Sequence, residues 1–566
     1  MDGTQTSTPT VPQKWLQFHG QHLKKLAHAG LTWLEENHHH VNSLNVFPVP
    51  DGDTGTNMLL TMRSAYRRIA DTEETHLGKV ADQLARGALM GARGNSGVIL
   101  SQIWRGLARG LRDKETATAA DLATAIRQAS DTAYGGVMRP VEGTILTVIR
   151  EGAEEAEDAA KKSKDLRFLL ERVRERCQQA LERTPEQLPI LKQAGVVDSG
   201  GQGLVYIFEG MLRYVNGEMK VLQAAQQATT AAGAHLPAQA HAVPEDGIIE
   251  NPYDVQFILI GQNLDVEEVR RRIDAMGDST VVVGDDTTIK VHIHVKNPGE
   301  PLSYGISLGQ ITDVVVENMQ MQMEEIVHTA VSTPPQSAPD IPEVTIEPGQ
   351  IGVVACAAGE GLGDIFRSLG AAYIVPGGQT NNPSTEEIFQ AIQDVPTDKI
   401  IILPNNKNII LAAEAARDLS PKQVIVVPTV TAPQGMSAML ALNPDGDLEE
   451  TAAAMKELAT SVTTGELTKA TRSVEINGIT VNKGEMIGLV DGKLCAADTN
   501  LESVLKQVLA EMDMDEREIV TLYYGSDVDQ AQADLIAQQI EMLYPDVEVE
   551  VHAGKQPHYH YIIGAE

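Results

Sequence analysis

The 566-residue sequence predicts a multidomain chain with an α part followed by α/β parts. Three observations predict it. Residues 13 to about 220 carry apolar side chains at helical spacing, interrupted by short turns containing Gly, Asp, Thr or Pro. Residues 250–328 change to two-residue alternation with two helical stretches inside it. From residue 350, continuous apolar runs alternate with helical ones, as buried parallel strands do.

In the first part, helices are predicted near 13–36, 54–71, 77–93, 95–113, 118–137, 143–161, 166–183 and 199–216. Eight helices with short links alternate up and down in an antiparallel bundle. The starts of the second, fourth, sixth and eighth then lie at one end. Those starts follow Asp51-Gly52-Asp53, Gly94-Asn95-Ser96-Gly97, Glu142-Gly143-Thr144 and Asp198-Ser199-Gly200-Gly201. This parity predicts one composite site within residues 1–222.

Residues 223–249, rich in Ala, Gln, Thr and Pro, read as a linker. Within 250–328, strands at 253–260, 279–284, 288–295 and 311–317 and helices at 265–275 and 300–308 give a βαββαβ order, which predicts a ferredoxin-like α+β domain. A second linker, 329–349, carries Pro334, Pro335, Pro339 and Pro342. The last part, 350–566, places buried strands at Ile351–Ala355, Ile400–Leu403 and Val424–Val427. Asn477-Gly478 and Asp491-Gly492 mark hairpin turns, and a strand–helix–strand follows from Ile519.

Composition narrows the function. No apolar run approaches the roughly eighteen residues of a membrane span, and the Thr-rich start lacks a signal sequence. Cys177, Cys356 and Cys495 are far apart and odd in number, which predicts a reducing cytoplasmic setting without a disulfide framework. A formal charge of −33 opposes nucleic acid and anionic membranes, so lipid chemistry would pass through a carrier.

The most informative stretch is Asn45-Val46-Phe47-Pro48-Val49-Pro50-Asp51-Gly52-Asp53-Thr54-Gly55-Thr56-Asn57. Pro48 and Pro50 forbid a helix before Asp51, and helical spacing resumes at Met58. Two carboxylates thus sit where a loop enters a helix, whose unpaired N–H groups and dipole suit phosphate while the acids suit Mg²⁺. An Asp-Gly-Asp turn by itself also occurs on many surface loops. Asn95 and Ser96 follow glycine-flanked positions and could approach a phosphate closely. Arg93 at the same end could stabilise transferring phosphate charge, or be a solvated helix-end arginine.

The thirteen residues resemble the metal-binding loop of the DhaL-like family, the nucleotide-binding domain of dihydroxyacetone kinases. They are most similar to the branch of ATP-binding subunits of bacterial fatty acid kinases. The resemblance implies an eight-helix DhaL-like barrel with Asp51 and Asp53 as Mg²⁺ ligands. That family usually has a third acidic ligand just before this pair. An ungapped match puts Val46 there, which cannot coordinate, so Asn45, one residue off, is expected instead. Thr54, Gly55 and Asn57 match positions at the nucleotide phosphates. Gly143, Thr144, Asp198, Ser199 and Gly200 match segments lining adenine and ribose. Gly377-Gly378-Gln379-Thr380, Pro404-Asn405-Asn406-Lys407 and His558–Glu566 resemble the C-terminal domain of the same branch, related to the DegV-like fatty-acid-binding fold.

Other patterns weigh less. Gly359-Glu360-Gly361-Leu362-Gly363 imitates a dinucleotide fingerprint but lacks the third glycine at the right spacing, so a packing turn is expected. His292 and His294 share one face of a strand, and Asp254 on the neighbouring strand could complete a Zn²⁺ site. A polar sheet face is the alternative. The resembled branch has Cys in place of Asp254. His38-His39-His40 reads as solvated surface.

The resemblance implies a Mg²⁺-dependent phosphotransferase using ATP and releasing ADP. Its acceptor would be a fatty acid carboxylate presented by a separate DegV-like carrier protein, with an acyl-phosphate as product, feeding phospholipid metabolism. The C-terminal domain would dock the carrier or a second protomer, and a homodimer is expected. The alternatives are a small-molecule kinase of the dihydroxyacetone type and a non-catalytic nucleotide-sensing scaffold.

Overall fold

The computed structural model describes residues 14–45, 52–137, 139–218, 251–261, 264–284, 287–318, 346–476 and 478–566. Both stretches read as linkers fall mostly outside these residues. The described chain forms two compact bodies, one of residues 1–216 with 341–566 and one of residues 217–340.

Helix α1 is Gly20–Ser43, not 13–36. Trp15 and Leu16 continue the apolar spacing, but Trp15 N–H donates to Asp165 Oδ1 (3.2 Å) and its carbonyl accepts from Leu166 N–H (2.8 Å). The chain there is pinned to the start of another helix. Phe18–His19 (β1) then pairs with Thr116–Ala117 (β2). The His19 ring accepts from Gln21 N–H and starts α1. The helix runs on through His38–His40.

The next helices follow the predicted order: α2 Thr54–Arg67, α3 Leu77–Met90, α4 Gly94–Leu111, α5 Ala119–Gly135, α6 Ile145–Lys162 and α7 Leu166–Glu182. Two short helices, α8 Thr184–Gln187 and α9 Pro189–Ala194, occupy the link before α10 Ser199–Val215. One face of each long helix fills a shared core that includes Leu34, Met58, Met62, Leu84, Leu100 and Leu146, all fully buried. Burial of each such side chain contributes about 1.5–3 kcal/mol.

The second body has β3 Tyr253–Ile260, α11 Val266–Asp274, β4 Asp278–Gly284, β5 Thr288–Val295, α12 Gly299–Leu308 and β6 Gln310–Asn318. Its antiparallel sheet has the order β4-β5-β3-β6. Val255, Phe257, Leu259, Val291, Ile293 and Val295 are buried on one face, as their alternation requires.

The C-terminal part rejoins the first body. Strands β7 Ile351–Ala357, β8 Tyr373–Pro376, β9 Lys399–Leu403 and β10 Gln423–Val426 form a parallel sheet of order β10-β9-β7-β8. Every residue of β7 is buried, matching its unbroken apolar run. Helix α13 (Glu360–Ser368) leaves β7 through the glycine turn. A Cβ on Gly361 would lie 1.9 Å from the Ala553 carbonyl oxygen, so these glycines admit a neighbouring backbone. A six-stranded sheet follows, in which Met486–Val490 and Lys493–Asp498 form a hairpin. Its turn residues Asp491 and Gly492 both take positive φ. Asn477, in the other expected hairpin, lies outside the described residues.

Helices α14 (Thr385–Asp394) and α15 (Ile410–Leu419) pack the C-terminal part onto the helical part. Ala92 and Val98, at the start of α4, lie in one apolar cluster with Val354, Ile388, Ile402 and Ala413. Thr385 N–H donates to the Ala92 carbonyl (3.1 Å). Residues 382–387 of the C-terminal part thereby lie against the starts of α4 and α2.

Candidate nucleotide and metal site

The start of α2 is built from α1. Asn42 Oδ1 accepts from Gly55 N–H (2.7 Å) and Thr56 N–H (3.2 Å), and its Nδ2 donates to the Thr56 hydroxyl (3.0 Å). The helices meet so closely that a Cβ on Gly55 would lie 2.2 Å from the His38 carbonyl oxygen. The expectation of a bare, phosphate-ready terminus here is therefore corrected, because a side chain of α1 already satisfies two of its donors. Asp53, at the N-cap position, makes no side-chain cap bond. Its Oδ2 accepts instead from Asn382 Nδ2 at 2.5 Å. Asn45 follows the end of α1, with its N–H on the Asn42 carbonyl (3.2 Å). Asp51 lies outside the described residues.

The start of α4 is the less occupied terminus. Arg93 holds the N-cap position and supplies no side-chain cap. Gly94 has φ +56°, and a Cβ there would lie 2.6 Å from Asn57 Nδ2. Only glycine allows this turn to close onto buried Asn57. Asn95 and Ser96 stand in the first turn. Asn95 Nδ2 is 3.4 Å from Asn408 Oδ1, while its buried Oδ1 has no partner among the described residues. Arg93 turns toward the C-terminal part. It pairs with Glu387 (3.0 Å) and donates to the Asn382 carbonyl (2.8 Å), so the guanidinium is engaged across the domain joint rather than solvated.

The starts of α6 and α10 carry their own caps. Thr144 accepts from Leu146 N–H (3.3 Å), and Gly143 N–H donates to the Thr147 hydroxyl (2.8 Å). The Asp198 carboxylate accepts from Gly201 N–H (2.7 Å) and from the backbone N–H of Ile145. Asp198 thus ties α10 to α6, with its carboxylate turned into the protein. The Ser199 hydroxyl donates to that of Thr54 (3.3 Å), next to buried Gly200. Contacts 54–199, 57–94 and 145–198 therefore bring the four starts to one place.

In the second body, the register sets Asp254 opposite His294 and Gln256 opposite His292. His294 Nδ1 lies 3.6 Å from Asp278 Oδ1. The side chains of Asp254 and His292 fall outside what is described, and no three-residue metal cluster occurs among the described residues. His40, of the histidine run, is not merely solvated: its Nδ1 lies 2.7 Å from the Tyr206 hydroxyl.

The donors gathered at the helix starts are carboxylate, amide and hydroxyl oxygens, with no thiolate or imidazole in the contacts described. That set fits a hard cation such as Mg²⁺. Two contributors, Asn42 and Asn382, carried no sequence signal. Asn42 caps from another helix, and Asn382 arrives from a distant domain.

Asp198 gives a pH prediction. Its residue is only half-buried, but its carboxyl is desolvated, which pushes its pKa up to about 6 against the two backbone N–H donors. The folded state then holds a proton that the unfolded state has lost between about pH 4 and 6, so this group's contribution to stability falls as pH rises through that window. Asp198→Asn keeps the acceptor oxygen and abolishes the titration. Urea unfolding should show the variant gaining on wild type from pH 4 to 6 and holding a constant difference above it.

Residues 48–213 match the DAK2 domain, 250–326 the FakA-like middle domain of fatty acid kinases, and 352–566 the FakA-like C-terminal domain. Protein YloV of Bacillus subtilis (strain 168) is 40% identical over 554 residues, covering 97% of this chain and 99% of that protein. A protein of Staphylococcus aureus (strain MRSA252) is 38% identical over 534 residues, covering 93% and 95%. A DegV family protein of Corynebacterium glutamicum aligns with a TM-score of 0.30 and 11% identity over 38% of this chain and 96% of that one, a likeness too slight to bear on the fold. Matched in three successive domains and along nearly its whole length, the chain belongs to the FakA-like fatty acid kinase family of DAK2-domain proteins.

Proposed function

We propose that the chain is the ATP- and Mg²⁺-dependent subunit of a fatty acid kinase. A carboxylate oxygen of the fatty acid forms a bond to the γ-phosphorus of ATP, and the bond from that phosphorus to the β–γ bridging oxygen breaks. Acyl-phosphate and ADP are released. A separate fatty-acid-binding protein presents the substrate. The observation that carries this reading is the convergence of four helix starts around Asp53, with the α4 terminus lacking a side-chain cap.

Asp51, Asp53 and Asn45 would hold Mg²⁺, which supplies charge neutralisation to the phosphates. Thr54, Gly55, Asn57, Asn95 and Ser96 would border the phosphates, and Gly143, Thr144, Ser199 and Gly200 the nucleoside. The first-turn N–H groups of α4 suit the phosphate oxygens better than those of α2, which Asn42 occupies. No helix among the described residues is long and apolar enough to cross a membrane, and the charge of −33 disfavours an anionic bilayer. Both favour delivery of the lipid by a carrier, in the cytoplasm.

The reading extends to the domains. The helical part would be a DhaL-like barrel, the middle body ferredoxin-like and the C-terminal part DegV-like, with a homodimer as the assembly. The middle body would bind Zn²⁺ through Asp254, His292 and His294. Elemental analysis of the purified chain should then find zinc that His294→Ala removes. Zinc-free wild type would contradict that assignment.

The kinase reading is tested by ATP consumption with a fatty-acid-loaded carrier protein from the same organism. Wild type should turn over only with the carrier, and Asp53→Ala should lose about a hundredfold or more of that rate. Tight Mg²⁺–nucleotide binding without turnover, for fatty acids or small ketones, would contradict it and favour a nucleotide sensor.

A further inference from the structure

We propose that Asn382, a residue of the C-terminal α/β part, is a positioning residue of the metal–nucleotide site. It orients the Asp53 carboxylate, and Mg²⁺-dependent nucleotide binding therefore requires the docked C-terminal part. The inference rests on the reading of Asp53 as a metal ligand.

Asn382 is 2% exposed, and its Nδ2 donates to Asp53 Oδ2 at 2.5 Å. A carboxylate only accepts, so the amide nitrogen must face it and the amide oxygen must point away. That oxygen, Oδ1, is buried and has no partner among the described residues. Burying an acceptor without a donor is destabilising, and a ligand-borne donor would offset that cost. Asn95 Oδ1, in the first turn of α4, is buried and unpartnered in the same way. Both residues border the Gly94 turn: Asn95 follows it, and a Cβ at Gly94 would lie 3.5 Å from Asn382 Nδ2. Waters on a hydrated Mg²⁺ are donors of the kind both oxygens lack.

Asn382 is also held firmly enough to position something. Its carbonyl accepts from Arg93, Arg93 pairs with Glu387, and Ser384 bridges to Arg93 along the backbone. Ser384 and Glu387 form the capping box of α14, which fixes the residues just after Asn382. On the other side, Gly378 N–H donates to the Asn381 carbonyl (3.1 Å). A partner that fixes a liganding carboxylate commonly changes metal affinity by about 10- to 100-fold.

The test is calorimetric titration of the full chain with MgADP, and with ADP in excess EDTA. Asn382→Ala should bind MgADP about tenfold more weakly than wild type while binding metal-free ADP unchanged. Asn382→Asp, which sets a second carboxylate against Asp53 at nearly constant volume, should lose more. In an Asp53→Asn background, Asn382→Ala should add little, because its partner charge is gone. Near-UV circular dichroism identifies any variant that fails to fold, and the other substitution then decides. Wild-type MgADP affinity in both variants would overturn the inference alone. Equal losses with and without Mg²⁺ would do the same, by reducing Asn382 to a structural contact. A wild-type chain that binds ADP with no help from Mg²⁺ would overturn the kinase reading as well.

Discussion

A carboxylate at the start of one helix is met by an amide 329 residues further along the chain, and much of the molecule serves that contact. For Asp53 to face outward from α2, another group must satisfy the helix's first N–H donors, and Asn42 does so from α1. For Asn382 to reach Asp53, the parallel sheet must dock against the start of α4. The apolar cluster around Ala92, Val98 and Ile388 and the Arg93–Glu387 pair hold it there. The apolar contacts supply the stability of that joint, since a partly exposed ion pair contributes about 1 kcal/mol or less. The pair and the amide contact instead fix its register.

Division of labour among the four helix starts follows from hydrogen-bond accounting. Each leaves unpaired N–H groups. Asn42 accepts from two of those of α2, Thr144 from one of α6 and Asp198 from one of α10, and Asp198 also reaches across to Ile145. At α4, Arg93 leaves the role unfilled because a guanidinium has no acceptor, and its side chain donates to the C-terminal part instead. The single terminus of the four without a side-chain cap is thus beside the joint between the helical and C-terminal parts.

Much of this was legible in the sequence. Helical spacing locates most of the long helices, and their parity places Asp53, Asn95, Thr144 and Ser199 at one end. The βαββαβ element order and the buried parallel runs were equally plain from period and length. The first helix was misplaced because Trp15 fits the apolar spacing, while a tertiary contact with Asp165 keeps it out of the helix. Residues whose role depends on a distant partner were invisible. Nothing local distinguishes Asn42 from another helix-end asparagine, or Asn382 from another loop asparagine. Spacing places Arg93 and Asp198 at the site but not the direction of their side chains, which turn to Glu387 and to backbone N–H groups. Boundaries at 222 and 350 likewise describe the order of domains along the chain and say nothing of which pack together.

If the helical and C-terminal parts build one site, hydrogen–deuterium exchange of the full chain will register both. MgADP should slow exchange at the starts of α2 and α4 and, at the same nucleotide concentrations, across residues 377–387. Protection confined to the helix starts, with residues 377–387 unchanged at saturation, would contradict a shared site.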